Sequence, residues 1–269
     1  MPTRSGDKGF QKDARDYAAY LETPEGRFRT DLAFANLKEF LPTSPKEMTQ
    51  HALDVGSGTG AVAARLGQLG FHVTQLDSSE EMLAIAKRTA DEAGVIHRVT
   101  FVHGDAGQLT DLFGTAAFDV ILCHNLLEYV DDPTLVLRGA ARTLRGNSAI
   151  LSIVVRNQTG EVFKAAIQAG DLTAAETNLN AEWGFESLYG GRVRLFTSAG
   201  LRAMLTSESL ELIAERGVRV VADYLPPNIS RTAQYERIFE LERKLSARPE
   251  VAAIARYVHC LARRKENRT

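Results

Sequence analysis

The sequence predicts an α/β fold organised around one mostly parallel sheet. Residues 50–155 alternate short apolar runs with amphipathic stretches, which is the pattern of strands joined by crossover helices. A turn with three glycines follows the first apolar run and leads into a helix. Two alternating segments, at about 216–221 and 256–263, add strands near the end of the chain.

The first five strands are predicted from the apolar runs, at about 51–55, 72–76, 98–103, 118–123 and 148–154. Helix starts lie between them. Ser78 or Ser79 is placed to cap the helix after the second strand, because a side-chain oxygen there accepts a hydrogen bond from the first turn. Asp132 is expected to cap the helix before the fifth strand, with Pro133 at the first helical position.

Residues 157–205 interrupt this alternation. Two helical stretches, at about 161–169 and 172–181, precede a segment in which Trp183, Phe185 and Tyr189 stand among glycines. We expect this insert to cover a ligand cleft as a lid. The alternative is that its aromatic side chains only fill a small satellite core.

The rest of the chain returns to regular structure. Helices are expected at about 198–206 and 235–248, and the stretch 207–211 is expected to lead into another helix.

The segment most informative about function is 51–60, which carries Gly56, Gly58 and Gly60. Glycines let the backbone turn sharply and approach a ligand without interference from a Cβ atom. Asp77 lies 21 residues beyond Gly56, the spacing of a second-strand acid that binds a ribose. These residues predict a site for a cofactor that contains a nucleoside.

The glycine spacing distinguishes between two cofactors. A dinucleotide fingerprint is G-x-G-x-x-G, whereas this turn is G-x-G-x-G, with Asp54 two residues before the first glycine. The turn resembles motif I of class I S-adenosylmethionine methyltransferases, and segments 103–106, 118–124 and 144–152 resemble later parts of that family's core. A nicotinamide enzyme and a binding protein without turnover are the alternatives.

This resemblance implies a Rossmann-like class I methyltransferase fold with S-adenosyl-L-methionine as cofactor. The expected sheet has seven strands, mostly parallel, with the last two as an antiparallel edge pair and a helical, aromatic lid insert after strand five. We expect a single domain over 1–269, with an N-terminal helical cap at 1–45 and the lid or substrate insert at 157–205.

Segments 20–29, 217–224, 235–242 and 255–263 are similar to the bacterial tRNA 5-carboxymethoxyuridine methyltransferase group. The similarity stops over 157–199, where that group carries a lysine-rich stretch. It implies that the acceptor is the carboxylate of 5-carboxymethoxyuridine at the tRNA wobble position. The alternative is a small-molecule O- or N-methyltransferase with a metabolite under the aromatic lid.

The resemblance also implies which residues contact the cofactor. The expected contacts are Arg29, Asp54, Gly56, Ser57, Gly58, Gly60, Asp77, Ser78, Met82, Asp105, Ala106 and His124. Arg29 is expected to pair with the cofactor carboxylate, because a guanidinium binds a carboxylate in bidentate fashion. The alternatives are a surface charge for Arg29 and a core histidine bonded to backbone for His124.

The acceptor decides what else the site needs. A carboxylate acceptor is already ionised at neutral pH, so it requires a cationic clamp rather than a base. The residues expected at the substrate are Trp183, Tyr189, Arg192, Arg194 and Arg231. If the acceptor is a hydroxyl or an amine, His124 is the first candidate for the catalytic base.

Charge is distributed unevenly along the chain. The net charge is -2, yet residues 216–269 hold 12 Lys and Arg against 6 Asp and Glu. This balance predicts a basic, anion-binding face that includes Arg231, Arg243 and Lys244. A solvated surface with ion pairs along helices is the alternative.

Composition sets the remaining expectations. The chain has no apolar run of about 18 residues, so no membrane span is expected. The start of the sequence is polar, and Cys123 and Cys260 lie in apolar segments typical of buried thiols rather than disulfides. We therefore expect a cytoplasmic protein with neither a membrane nor a metal as partner.

Overall fold

The computed structural model of the chain describes residues 7–42, 49–186, 191–226 and 228–265. The strands are β1 (His51–Val55), β2 (His72–Asp77), β3 (Val99–His103), β4 (Val120–His124), β5 (Ile150–Arg156), β6 (Trp183–Glu186), β7 (Gly191–Arg194), β8 (Leu210–Val218) and β9 (Tyr257–Arg264). The helices are α1 (Asp7–Glu22), α2 (Pro24–Lys38), α3 (Ala61–Gln68), α4 (Glu80–Glu92), α5 (Leu109–Phe113), α6 (Pro133–Thr143), α7 (Gln158–Phe163), α8 (Leu172–Asn178), α9 (Ser198–Ser207), α10 (Tyr235–Ser246) and α11 (Pro249–Ala252).

Seven strands form the central sheet in the order β3-β2-β1-β4-β5-β9-β8. The first five of these run parallel, whereas β9 is antiparallel to both β5 and β8. The predicted fold class is therefore confirmed, including the antiparallel edge pair. The strand order reverses between β1 and β4, and ligands of open α/β sheets bind at such a reversal, beyond the carboxyl ends of the strands.

Helices on both faces explain why the central strands are almost continuously apolar. All 7 residues of β5 are buried. Leu53 and Ile121 pack in one core cluster, and Ala52 and Val73 pack in the cluster on the other face. Cys123 and Cys260 are buried in the sheet and free of disulfides.

The predicted helix start at 207–211 is wrong, and the strand predicted at 216–221 is present but begins and ends earlier. Residues Leu210–Val218 form β8, which pairs with β9 from Leu210 opposite Arg264 to Val218 opposite Tyr257. The stretch has residues common in helices, but pairing with β9 outweighs that local propensity. Arg219 ends the strand with a left-handed φ of 60°.

The aromatic insert contains a β-hairpin that the sequence did not predict. β6 and β7 pair in antiparallel fashion, with Trp183 opposite Arg194 and Phe185 opposite Arg192. Tyr189 lies in the connection at 187–190, outside the described residues. The boundaries of the cap and of the lid remain predictions. Among the helices described, none is both long and apolar enough to cross a membrane.

The turn after β8 depends on one carboxylate from α10. Glu242 is fully buried, and its two oxygens accept hydrogen bonds from the amides of Val220, Val221 and Ala222, at 2.7, 2.9 and 2.7 Å. These donors have left regular sheet pairing, so the carboxylate satisfies groups that would otherwise be costly to bury.

Replacing this carboxylate is expected to destabilise the protein. Glu242→Ala leaves three buried amides without an acceptor, and we expect the free energy of unfolding to fall by about 3 kcal/mol. Urea denaturation followed by circular dichroism measures this change. The control is Glu240→Ala on the same helix, where the side chain is 56% exposed. Equal effects of the two substitutions would contradict this role of Glu242.

Candidate active site

A cleft of about 860 Å³ opens at the carboxyl ends of β1 and β4. The loops after β1, β2, β3 and β4 line it, together with residues of α1 and α2. This is the reversal point of the strand order, so the topology itself puts the predicted motifs around one cavity.

The glycine turn after β1 adopts conformations that favour glycine. Gly56, Gly58 and Gly60 have φ values of 66°, 52° and 74°. A Cβ atom on Gly56 would lie 2.7 Å from Leu126, whereas one on Gly58 would point to the cleft, with Tyr17 nearest at 3.8 Å. Gly58 therefore leaves room on the cleft floor for a ligand.

Gly60 has a different environment from the other two glycines. A Cβ atom there would lie 2.8 Å from the side-chain oxygen of Gln75, on the neighbouring β2. Gly60 is absent from the described lining of the cleft. This placement assigns it to packing between the turn and the sheet, and does not support the predicted cofactor contact.

Asp77 joins the end of β2 to the glycine turn. Its Oδ2 accepts a hydrogen bond from the amide of Gly58 at 2.8 Å, and its Oδ1 accepts one from the amide of Ser79 at 2.9 Å. Each carboxylate oxygen can accept a further bond, so the group can still receive ribose hydroxyls. Asp77 thus shapes the turn as well as lining the cleft.

Two further observations fit a polar cofactor at this turn. The hydroxyl of Ser57 lines the cleft, is buried and has no hydrogen-bond partner within the described protein. A buried polar atom of this kind calls for a partner that the protein itself does not provide. Ser78, Met82, Asp105 and Ala106 line the neighbouring wall, as a site for the adenosine half requires.

Asp54 is the residue before the end of β1, beneath the turn, and is buried. Burial, with a smaller contribution from the nearby carboxylate of Asp77, raises the pKa of Asp54 to about 7. About half of these carboxyls are therefore protonated at neutral pH. A cationic ligand in the cleft would favour the ionised form.

Arg29 reaches the opposite wall of the cleft from α2. Its guanidinium donates a hydrogen bond to the Tyr17 hydroxyl at 2.5 Å and lies over the rings of Tyr17 and Tyr257, 5.8 and 5.6 Å from their centroids. These contacts hold the guanidinium in place without neutralising its charge. Arg29 is thus equipped for the predicted carboxylate partner.

His124 is the first member of a buried hydrogen-bond relay. His124 Nε2 lies 2.8 Å from Ser152 Oγ, which lies 2.8 Å from His259 Nε2. His259 Nδ1 is 3.5 Å from Asn36 Nδ2. With Asn36 as the donor, the relay leaves the His124 proton on Nδ1.

The same surroundings argue against His124 as a general base. Burial, and secondarily the charge of Arg29, lower the pKa of His124 to about 3. Such an imidazole accepts a proton poorly at neutral pH, and the arrangement favours a neutral hydrogen-bond donor instead. The predicted catalytic role of His124 therefore has no support in its environment, although its place in the cleft fits a cofactor contact.

Among the described residues predicted for the acceptor, none lines the cleft. Trp183, Arg192 and Arg194 lie on the outer face of the β6–β7 hairpin. Arg231 is absent from the described lining, and its guanidinium donates to the carbonyl oxygens of Ala222 and Leu225. Its predicted substrate contact is not supported by this placement.

Several lining residues were not predicted. Tyr17 comes from α1, Tyr129 from the loop after β4, and Glu186 from β6. The loop after β4 was accessible to prediction, since ligands of α/β sheets contact the carboxyl ends of strands. Tyr17 and Glu186 belong to no sequence motif, and only tertiary packing brings them to the cleft.

Comparison with known proteins agrees with this geometry. Residues 53–152, which include the glycine turn, Asp77 and the relay's Ser152, match the family described as "Methyltransferase domain". The predicted enzyme class, an S-adenosylmethionine-dependent methyltransferase, and its predicted cofactor are confirmed.

Three similar proteins illustrate the match. The tRNA 5-carboxymethoxyuridine methyltransferase of Escherichia coli is 26% identical, over 97% of this chain and 98% of its own length. The ubiquinone biosynthesis O-methyltransferase of Xanthomonas oryzae pv. oryzae is 33% identical over 45% of this chain and 49% of its own. A Thermotoga maritima methyltransferase structure, described as a possible histamine N-methyltransferase, shares the fold with a TM-score of 0.64 and 16% identity, over 96% of this chain and 99% of that one.

S-adenosylmethionine supplies a methyl group carried on a positively charged sulfur. The residues that would hold it are Gly56, Ser57 and Gly58 of the glycine turn, with Asp54, Asp77, Arg29 and His124, all of which line the cleft. Alignment of the donor with its acceptor would contribute several kcal/mol to such a displacement.

The pKa of Asp54 predicts a pH-dependent affinity for the cofactor. Since binding of a cation requires the ionised carboxylate, we expect the affinity to rise about tenfold between pH 6 and pH 8. Calorimetric titration in buffers of different ionisation enthalpy should show release of a proton. Asp54→Asn should bind more weakly, with little pH dependence over this range. A wild-type affinity that does not change with pH would contradict this assignment.

The relay predicts the protonation state of His124. In ¹⁵N spectra of histidine-labelled protein, His124 should be neutral at pH 6, with its proton on Nδ1, because burial disfavours the charged ring. Ser152→Ala removes the donor to Nε2. The preference for the tautomer with its proton on Nδ1 should then be lost, giving a mixture of the two neutral tautomers. An imidazolium at pH 6, or a tautomer unaffected by Ser152→Ala, would contradict the relay.

Proposed function

We propose that the protein methylates the carboxylate of 5-carboxymethoxyuridine at the wobble position of tRNA. The similarity to the Escherichia coli enzyme of that activity supports this, because it extends over 97% of the chain. The similarity to the ubiquinone O-methyltransferase covers only 45% of the chain.

The observation that carries the proposal is the outer face of the β6–β7 hairpin, formed by Trp183, Phe185, Arg192 and Arg194. Trp183 and Phe185 are 38% and 67% exposed. The guanidinium carbons of Arg192 and Arg194 lie 4.6 and 4.7 Å from the centroid of the Trp183 ring. Exposed aromatic rings stack on unpaired bases and arginines contact phosphates, so this face suits an anticodon loop.

The face lies next to the cleft. The Arg194 amide donates a hydrogen bond to the carbonyl of Glu128, in the loop after β4, at 3.0 Å. Glu186, on the inner face of the same hairpin, lines the cleft. A loop held on the outer face therefore lies beside the entrance through which a target base would have to pass.

The chemistry of the cleft fits a carboxylate acceptor. With a pKa of about 3, His124 is a weak base, and a carboxylate acceptor requires none because it is ionised at neutral pH. A phenol or amine acceptor would need a proton acceptor. The small-molecule alternative rests on the higher identity of 33% to the ubiquinone O-methyltransferase in the shared core.

The basic residues of 216–269 contribute less to tRNA binding than their number implies. Arg219 and Arg256 are buried. Arg216 and Arg243 pair with Glu39, and Arg263 pairs with Glu211. Five of the 12 basic residues in this segment are thus buried or paired with carboxylates of the protein. Arg192 and Arg194 are better placed for phosphate contacts near the cleft.

The function is tested with purified protein and tRNA. Incubation with S-adenosylmethionine and tRNA that contains 5-carboxymethoxyuridine should yield its methyl ester, detected by nucleoside mass spectrometry. The matched control is the same tRNA with unmodified uridine at the wobble position. Absence of the ester, together with methylation of a phenolic quinone precursor, would favour the small-molecule alternative.

The hairpin face is tested by Trp183→Ala. Loss of base stacking should weaken tRNA binding about 5- to 100-fold, from roughly 1–3 kcal/mol per stacked base. The affinity for S-adenosylmethionine should stay the same. The control is Leu172→Ala, which removes a side chain that is 68% exposed on α8. Unchanged tRNA affinity in Trp183→Ala would contradict a role of this surface in tRNA binding.

Charge reversal at Arg192 should also reduce the salt dependence of tRNA binding, by about 0.7 in log–log slope per lost contact.

A further inference from the structure

We propose that Arg156 is the binding residue for the carboxylate of the acceptor, and that Glu186 occupies Arg156 until the acceptor displaces it. This inference rests on the proposed function. It identifies the positively charged residue that a carboxylate acceptor requires at the active site. It also assigns Glu186 as the residue that returns to Arg156 when the product leaves.

The first argument is the position of Arg156. It is the last residue of β5, at the carboxyl edge of the sheet beside the end of β4. Side chains two residues apart in a strand share a face, and Val154 lines the cleft. Arg156 therefore points to the same side of the sheet as the cleft, at the edge where substrates of this fold class bind.

The second argument is the residue that covers Arg156. Glu186 is buried, lines the cleft and pairs with the Nη2 group of Arg156. Arg156 Nη1 also lies 3.4 Å from the carbonyl oxygen of Phe185. The outer face of the hairpin thus carries the aromatic and arginine side chains. Its inner face presents the carboxylate of Glu186 to Arg156, behind the cleft.

The third argument is the charge around Arg156. Arg156 and Arg256 share Glu161, at 3.6 and 2.6 Å, and Arg219 pairs with Asp223. With Arg29, four arginines surround the phenol of Tyr257. Burial alone would raise the pKa of Tyr257, yet these four guanidiniums lower it to about 8.

The local field is therefore positive even with Glu186 in place. It attracts an anion, and it disfavours any state in which a carboxylate leaves Arg156 without a replacement.

Exchange of the Glu186 carboxylate for the acceptor carboxylate satisfies both conditions. The positive field attracts an anion, and Arg156 does not lose one carboxylate before it gains another. Without Glu186, the buried Arg156 would keep only the carboxylate of Glu161, which it shares with Arg256, so a replacement carboxylate is favoured. A planar carboxylate from the acceptor offers the same bidentate geometry as Glu186. When Glu186 leaves, the inner face of the hairpin moves away from Arg156 and the acceptor group gains access to it.

The reaction itself would reverse the exchange. A carboxylate oxygen forms the new bond to the methyl carbon as the bond from that carbon to sulfur breaks. The negative charge of the carboxylate and the positive charge of the sulfur are both lost, and no proton is released. The ester product is neutral and pairs poorly with Arg156, so Glu186 returns and favours release.

The test on the protein alone uses acetate as a carboxylate probe. Glu186→Gln removes the resident carboxylate and should lower the melting temperature. Replacing 100 mM chloride with 100 mM acetate should then raise the melting temperature of Glu186→Gln by several degrees, because an anion that binds only the folded state stabilises it.

The wild type and the double variant Arg156→Met, Glu186→Gln should show no such rise. The matched control is Glu211→Gln, which breaks the exposed pair with Arg263 and should not respond to acetate. An equal acetate response in all variants would overturn the proposal.

A second measurement needs no substitution and so does not depend on folding of a variant. An anticodon stem-loop with 5-carboxymethoxyuridine should bind wild-type protein loaded with S-adenosylhomocysteine at least tenfold more tightly than the same stem-loop carrying the methyl ester. Equal affinities would overturn the exchange.

The two tests separate this inference from the proposed function. If the protein fails to methylate the tRNA but acetate still rescues Glu186→Gln through Arg156, the site binds a different carboxylate and the proposed function is wrong. If the tRNA is methylated while acetate has no effect and the ester binds as tightly as the acid, the proposed function stands and the role of Arg156 is wrong.

Discussion

The two hydrogen bonds that Asp77 accepts determine the shape of the cleft. One oxygen holds the amide of Gly58 in the glycine turn and the other holds the amide of Ser79 at the start of α4. The carboxylate therefore joins two strand ends that the parallel sheet places side by side. The left-handed conformation at Gly58 exposes the turn to the cleft, and a side chain there would enter the ligand space. Cofactor binding by this chain depends on that small assembly.

Charge is arranged differently at the two ends of the cleft. Asp54 and Asp77 lie below the turn, where burial and mutual repulsion keep Asp54 near half-protonation at neutral pH. Arg29 and the arginines behind Glu186 lie at the other end, where their field lowers the pKa of a buried phenol. Under the proposed function, a cationic methyl donor and an anionic acceptor would meet complementary ends of one cavity. This separation would bring opposite charges together without requiring a strong base between them.

The insert after β5 presents two chemically different faces in one short hairpin. Because side chains alternate across a strand, Trp183 and Phe185 face outward while Glu186 faces the cleft. A macromolecule that binds the outer face can therefore influence the pair that Glu186 makes with Arg156. The lysine-rich stretch of the resembling tRNA enzymes is replaced here by rings and guanidiniums, which recognise unpaired bases by stacking rather than by charge alone.

The sequence by itself determined the positions of the five parallel strands along the chain, the glycine turn and the acid after β2, because each depends on local spacing and backbone conformation. Only the tertiary structure decided the start of β8, where pairing with β9 overrides a helical pattern. It also decided the relay, in which Asn36 and His259 meet although 223 residues separate them. The arginines of the C-terminal segment were countable from sequence, but their burial against Asp223 and Glu161 was not. Contacts of this kind depend on which faces pack together, and packing follows from the whole chain rather than from any short segment of it.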